Sequence, residues 1–316
     1  MPSVLANVDL DRLDAPAQDC IQVNLSALAD AYHGAGTHLR LGSRLDFAPQ
    51  AGPDGLPTVE PGLPRRVEQA AELLGLVADG PLAELPGPRL AELLTTDPVY
   101  VVGDAFDLPW VPYHGRQHLE HSFLMTAGPR PGEALVLDAY HNETRWGPAR
   151  PARWTVPVPE LVATVGRTLR TVRMRPAGLP VLPVADALAA NAAQLRDAAD
   201  AGEIERYVLA YRQHPDLTAA TERLTLETWL LARSRRLHAH WLAAADPDRA
   251  APFTEQAGAW AGLAEHVYIA LRRVQRGRPA PPGLTDRLRE LLLTDVRLAR
   301  TLVQEDAWTP TPSSRP

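Results

Sequence analysis

The feature that most constrains this chain is a change of hydrophobic pattern near residue 160. Before it, short apolar runs are separated by glycine and proline. After it, apolar residues recur at helical spacing over long stretches. A chain whose pattern switches once in this way builds a strand-rich part followed by a helical part. The expectation is an α+β protein with one domain over 1–160 and a helical domain over 161–308. The Pro/Ser-rich end, 309–316, reads as a mobile tail. With 316 residues, 45% hydrophobic and 22% charged, both parts can bury cores.

In the first part, 99–102, 122–126, 134–137 and 154–158 read as strands, with another near 4–8. Helices are expected over 20–33 and 65–78, and a shorter one over 88–95. The Gly/Pro-rich stretch 34–64 reads as a long loop close to the functional site. Its Gly34-Ala35-Gly36-Thr37 follows a helix and lacks a third glycine, so it is not a dinucleotide fingerprint. The second part reads as helices over 160–168, 184–201, 203–211, 217–244, 254–276 and 285–304. Tyr207, Trp229, Trp241 and Trp260 fit its core.

The net charge of −6 gives no support for nucleic-acid binding, although every cationic side chain is arginine. The first residues carry no basic and apolar leader pattern, and no apolar run is long enough to span a bilayer. The expectation is a cytoplasmic protein with no membrane partner. One cysteine excludes an internal disulfide framework and suits a reducing compartment.

That cysteine, Cys20, stands at the start of the first helix, where Asp19 or Gln18 can cap. Ile21, Leu25, Leu28 and Tyr32 follow at helical spacing, and Gly34 stops the run. Unpaired N–H groups and the positive dipole end favour a thiolate at such a position. A buried inert thiol is the plain alternative. Further on, His121 precedes one strand and Asp138 closes the next, across a turn near residue 130. A hairpin with pairs summing to about 260 sets them nearly opposite, on one face. A carboxylate can then hold one ring nitrogen while the other takes a thiol proton. Taken singly, His121 reads as a strand-edge residue and Asp138 as a turn cap.

Three stretches carry a resemblance: DCIQVNLSALADAYHG, PVYVVGDAFDLPW and HLEHSFLMTAGPRPGEALVLDAY. They are similar to papain-like cysteine enzymes, and more narrowly to the butirosin biosynthesis protein H family, over about residues 15–145. The resemblance implies a papain-like fold with Cys20 as nucleophile, His121 as base and Asp138 as orienting acid. It also implies transfer of an acyl group from an acyl carrier protein, held there as a phosphopantetheine thioester, to a small-molecule amine acceptor or an internal nucleophile. The product would be an amide, lactam or ring in natural-product biosynthesis. No cofactor and no metal is implied. Residues 36–64 depart from the family pattern, and Asp14 stands where papain-type enzymes carry a glutamine. Gln18 or Gln22 is then the candidate to help an oxyanion site, with the Cys20 N–H; Asn24 and His118 complete the candidate pocket.

Two other activities fit the same residues: a cysteine peptidase or thioester hydrolase, and a binding protein that keeps the fold without the chemistry. His114, His118 and His121 have a spacing that would bind zinc on a helix, but the region reads as strand and lacks an intervening acid. Arg233, Arg235, Arg236, Arg272, Arg273, Arg276 and Arg278 read as solvated helix faces, with a docking surface for an acidic carrier protein as the other reading.

Overall fold

The structure, a computed structural model, describes residues 3–166 and 168–307, the last four as backbone only. The expected mobile tail lies outside the described residues. The helices are α1 (Gln22–His33), α2 (Leu63–Leu74), α3 (Val158–Thr164), α4 (Val184–Asp200), α5 (Glu203–Gln213), α6 (Leu217–Ala245), α7 (Pro247–Val274) and α8 (Leu284–Ala307). The strands are β1 (Gln50–Ala51), β2 (Pro57–Thr58), β3 (Leu76–Ala78), β4 (Ala83–Pro86), β5 (Val99–Asp104) and β6 (Glu120–Ala127). They continue with β7 (Glu133–Asp138), β8 (Asn142–Thr144), β9 (Gly147–Ala149), β10 (Ala152–Pro157) and β11 (Thr168–Pro176).

Two compact units result, and none of the three boundaries between them falls at residue 160. One comprises Met1–Arg40 and Pro61–Pro180, the other Leu41–Glu60 and Val181–Pro316. The first exceeds its expected end because of β11. There Leu169, Val172 and Met174 are buried while Arg170, Arg173 and Arg175 interleave with them. Those arginines mask the strand in the sequence. Arg173 is used locally, donating to the carbonyls of Leu93 and Asp97.

The sheet of the first unit is antiparallel throughout, ordered β10-β7-β6-β5-β11-β3, with β4 also pairing β11. β5 and β6 are buried on both faces, which is why they read as continuous apolar runs. In α1 the seven residues from Val23 to Ala29 are all buried, so this helix is enclosed rather than amphipathic. In contrast, α2 buries one stripe, Leu63, Arg66, Ala70, Leu73 and Leu74, and closes on Gly75 in the left-handed conformation (φ 63°). The expected strand near 4–8 is instead a 3-10 turn, Val4–Asn7, capped by the Ser3 hydroxyl on the Leu5 N–H.

The β6–β7 ladder runs from Ala127↔Ala134 to Leu124↔Leu137 and stops there. Continued, that register would set His121 against Tyr140 and Phe123 against Asp138. His121 and Asp138 are therefore diagonal rather than directly opposite, still on one face.

In the second unit α4 to α8 enclose a core that includes Leu188, Leu195, Tyr207, Leu224, Trp260, Leu263 and Leu292. Most of the expected site loop, residues 41–60 of 34–64, belongs here: Leu45, Phe47 and Leu56 are part of this core. Gly42 lies so close to α6 that a Cβ would fall on the Leu237 carbonyl. Buried carboxylates tie the unit together. Glu227 accepts from Thr58 Oγ1, Val59 N and Tyr207 OH. Asp295 accepts from Arg235, Gln256 and Trp260. Arg235 is thus an internal residue, not part of a docking face. Among the described residues no helix is long and apolar enough to cross a membrane.

Candidate active site

The first turn of α1 is built on Asp19. Its Oδ1 accepts the N–H groups of Ile21 (2.9 Å) and Gln22 (2.8 Å), and its carbonyl accepts that of Val23 (3.1 Å). The N–H groups expected to stand unpaired before the thiol are therefore occupied. Asp19 Oδ2 pairs with the Arg66 guanidinium of α2, and both side chains are buried. The local field at Cys20 thus combines a helix start, a carboxylate and its counter-charge. Cys20 itself is half-buried, and its S–H donates to the Glu120 carbonyl at 3.3 Å.

Glu120 immediately precedes His121, so the sulfur rests on the peptide that carries the imidazole. His121 is fully buried, and its Nε2–H donates to Asp138 Oδ2 at 2.7 Å. Asp138 also accepts the Trp110 indole N–H at Oδ2 (3.0 Å) and the Tyr140 N–H at Oδ1 (3.0 Å). The Tyr140 ring stands edge-on to the imidazole, centroids 5.2 Å apart. With Nε2 committed as donor, Nδ1 is the basic nitrogen, and it is buried with no hydrogen-bond partner. Leaving such an acceptor empty costs about 1–3 kcal/mol.

One side chain shapes this end of the hairpin. The Gly128 N–H bonds to the Glu133 carbonyl beside the turn, so hydrogen-bonded pairs fall on even residues of β6. The next pair after Leu124↔Leu137 would be Ser122 with Ala139. Instead Asn24 Nδ2 donates to the Ser122 carbonyl (2.8 Å), and Asn24 Oδ1 accepts the Ala139 N–H (2.9 Å). A carboxamide from α1 is inserted where a ladder hydrogen bond belongs. The strands are wedged apart there, and the helix that follows Cys20 is fixed to both strands bearing His121 and Asp138. Ser122 Oγ donates in turn to the Cys20 carbonyl (2.5 Å), and Tyr100 OH to that of Ile21 (2.9 Å). Burial, the largest influence on Tyr100, raises its pKa, so it stays a donor.

Asn24 was expected in the pocket but is 0% exposed and wholly engaged in this wedge. Gln18 is equally buried: its amide N–H donates to the Asp14 carbonyl and its oxygen accepts the Ser26 hydroxyl. Both groups are spent on structure rather than turned to a substrate. Gln22 is half-buried on the first turn. His118 does not touch Asp138; its side chain is 74% exposed, with Nδ1 at 2.6 Å from Asp104. His114, His118 and His121 lie on a turn, a loop and a strand, not on one helix face. Among the described residues no group of His, Cys, Asp and Glu is arranged to hold a metal ion.

Trp110 is the residue that spacing did not single out. It packs edge-on against Phe123 and Trp154 and sends its N–H to Asp138. The available signal was a tryptophan after Leu108-Pro109 in an irregular stretch between two buried strands. No family model matches the chain, and no curated protein matches it.

Proposed function

We propose that the sheet-bearing unit is a papain-like cysteine enzyme that moves an acyl group from a thioester to an amine or an internal nucleophile. The observation that carries this reading is the buried, empty Nδ1 of His121, whose Nε2 is fixed on Asp138 and whose peptide touches the Cys20 sulfur. The carboxylate on one ring nitrogen and the thiol on the adjoining peptide together support this reading over a histidine that only fills a core.

In this reading His121 takes the Cys20 proton at Nδ1, and the thiolate leaves the Glu120 carbonyl to attack the thioester carbon. The donor thiol departs with the proton returned by His121, leaving an acyl-enzyme. Asp138 keeps the ring in the Nε2–H tautomer and stabilises the imidazolium. Trp110 and Tyr140 hold Asp138 oriented. Gln22 and the Cys20 N–H are the candidates for the oxyanion. A carrier-protein thioester suits a cytoplasmic enzyme of the butirosin biosynthesis protein H type, the family that the sequence resembles.

The test is intact-mass measurement after incubation with an N-acetylcysteamine thioester. The expected result is a single acyl adduct on the natural chain and none on Cys20→Ala. No adduct from any thioester would sink the reading. Cleavage of generic peptide substrates without thioester turnover would favour a peptidase instead.

A further inference from the structure

A second imidazole–carboxylate pair sits beside the first. Residues 118–120 lead directly to the carbonyl that receives the Cys20 S–H, and Asp104 lies opposite Glu120 in the β5–β6 register. Asp104 Oδ2 accepts His118 Nδ1–H at 2.6 Å, while Oδ1 accepts the N–H groups of Phe106 (2.9 Å) and Leu119 (3.3 Å). The Phe106 ring stacks on the imidazole, centroids 4.3 Å apart and planes 12° from parallel. A surface histidine normally keeps its rotamer freedom, which costs free energy to remove. Here a ring that is 74% exposed at its side chain is fixed by a carboxylate and an aromatic face, with Nε2 left to solvent.

We propose that His118, held by Asp104, accepts the proton of an incoming primary amine, so that the two halves of the transfer use different imidazoles. This rests on the reading of Cys20 as the acyl-carrying residue. His121 is sealed from solvent, which suits a proton exchanged with the sulfur but not one delivered by a diffusing acceptor. Asp104 bonds His118, and Glu120, opposite Asp104 in the β5–β6 register, pairs with Arg170. Two carboxylates against one guanidinium make a rim that attracts an aminium ion. Burial tends to raise the Asp104 pKa, but the bonds from His118, Phe106 and Leu119 and the His118 charge leave it lowered, so the carboxylate persists.

The step balances without another reactant. The recruited aminium ion first gives one proton to solvent; the freed lone pair forms the C–N bond, and the C–S bond breaks with its electrons on Cys20 Sγ. The proton lost from nitrogen goes to His118 Nε2 and then to solvent. The thiolate of half-buried Cys20 regains a proton from solvent. The products are an amide and the original thiol.

The experiment loads the natural chain, His118→Ala and His118→Gln with an acyl group from N-acetylcysteamine thioester, then adds ethanolamine and follows adduct and amide by mass. Loading should agree within about twofold, whereas amide formation should fall about a hundredfold in both variants. Added imidazole should recover part of the rate in His118→Ala. Variants that load and form amide at the natural rate overturn this assignment alone. A parallel fall in loading and transfer overturns it too, as a structural effect. A natural chain that never loads overturns both this and the acyl-enzyme reading.

Discussion

Each unit contains a fully buried histidine with one ring nitrogen bonded and the other empty. In the sheet unit, His121 gives Nε2–H to the Asp138 carboxylate. In the helical unit, His238 gives Nδ1–H to the Gly42 carbonyl at 2.7 Å, and its Nε2 is buried without a partner. The difference lies in the surroundings. His238 packs against Trp241 and Phe253, near the Arg235 charge, with no thiol or carboxylate on its ring. Burial pushes its pKa down to about 4, with Arg235 adding to the effect and the Gly42 carbonyl opposing it. An empty ring nitrogen therefore does not mark a site by itself. A carboxylate on the ring and a thiol on the adjoining peptide set His121 apart from His238, and on the proposed reading they make it the base.

The sharpest test of that contrast is Asp138→Asn. It keeps the shape but loses the charge and the tautomer control, and should lower the rate of adduct formation by about 10³–10⁴-fold. Adduct formation at the natural rate would remove the distinction between the two histidines. His238 should instead report in stability. Its folded pKa lies below the unfolded value, so from about pH 6.5 down to pH 4 the unfolded chain binds the proton that the folded chain refuses. Stability should fall across that window by about 3 kcal/mol, and His238→Phe should remove this component of a urea-midpoint profile against pH. An unchanged profile would mean that His238 is not held neutral.

Asn24→Ala comes next. It strands the Ser122 carbonyl and the Ala139 N–H, unless they re-pair and pull the hairpin closed. Urea unfolding should show a loss of about 2 kcal/mol, with adduct formation impaired as well. Unaltered activity would mean that the wedge does not set the His121–Asp138 geometry. Trp110→Phe removes one of three donors to Asp138 and should cost about tenfold in adduct rate with the fold retained, readable by mass and circular dichroism.

Much of the helical half could be read from periodicity, because long apolar stripes leave little choice. The strands of 99–104, 120–127 and 133–138 were legible for a related reason, being apolar on both faces. β11 was hidden by its arginines, which gain their partners only from loops distant in sequence. The placement of His121 and Asp138 on one hairpin face was legible, but not their diagonal offset. A ladder that continued uninterrupted would have a regular register, and the interruption comes from Asn24, on a helix about a hundred residues upstream in the chain. For the same reason Asn24 and Gln18 looked like pocket residues. Polar side chains beside a cysteine in sequence can face the core once the helix is enclosed on all sides. The connection of 41–60 to the helical unit was invisible for want of any periodicity in that stretch.

The pairing of Asp19 with Arg66 has a consequence for how the protein is made. The cap that orders the turn carrying the thiol is completed by a residue 47 positions later, on a separate helix. Until that second helix docks, the aspartate is an ordinary hydrated anion and the cysteine lies in an unformed turn. The turn that carries Cys20 therefore takes its final geometry only once the helix bearing Arg66 has docked.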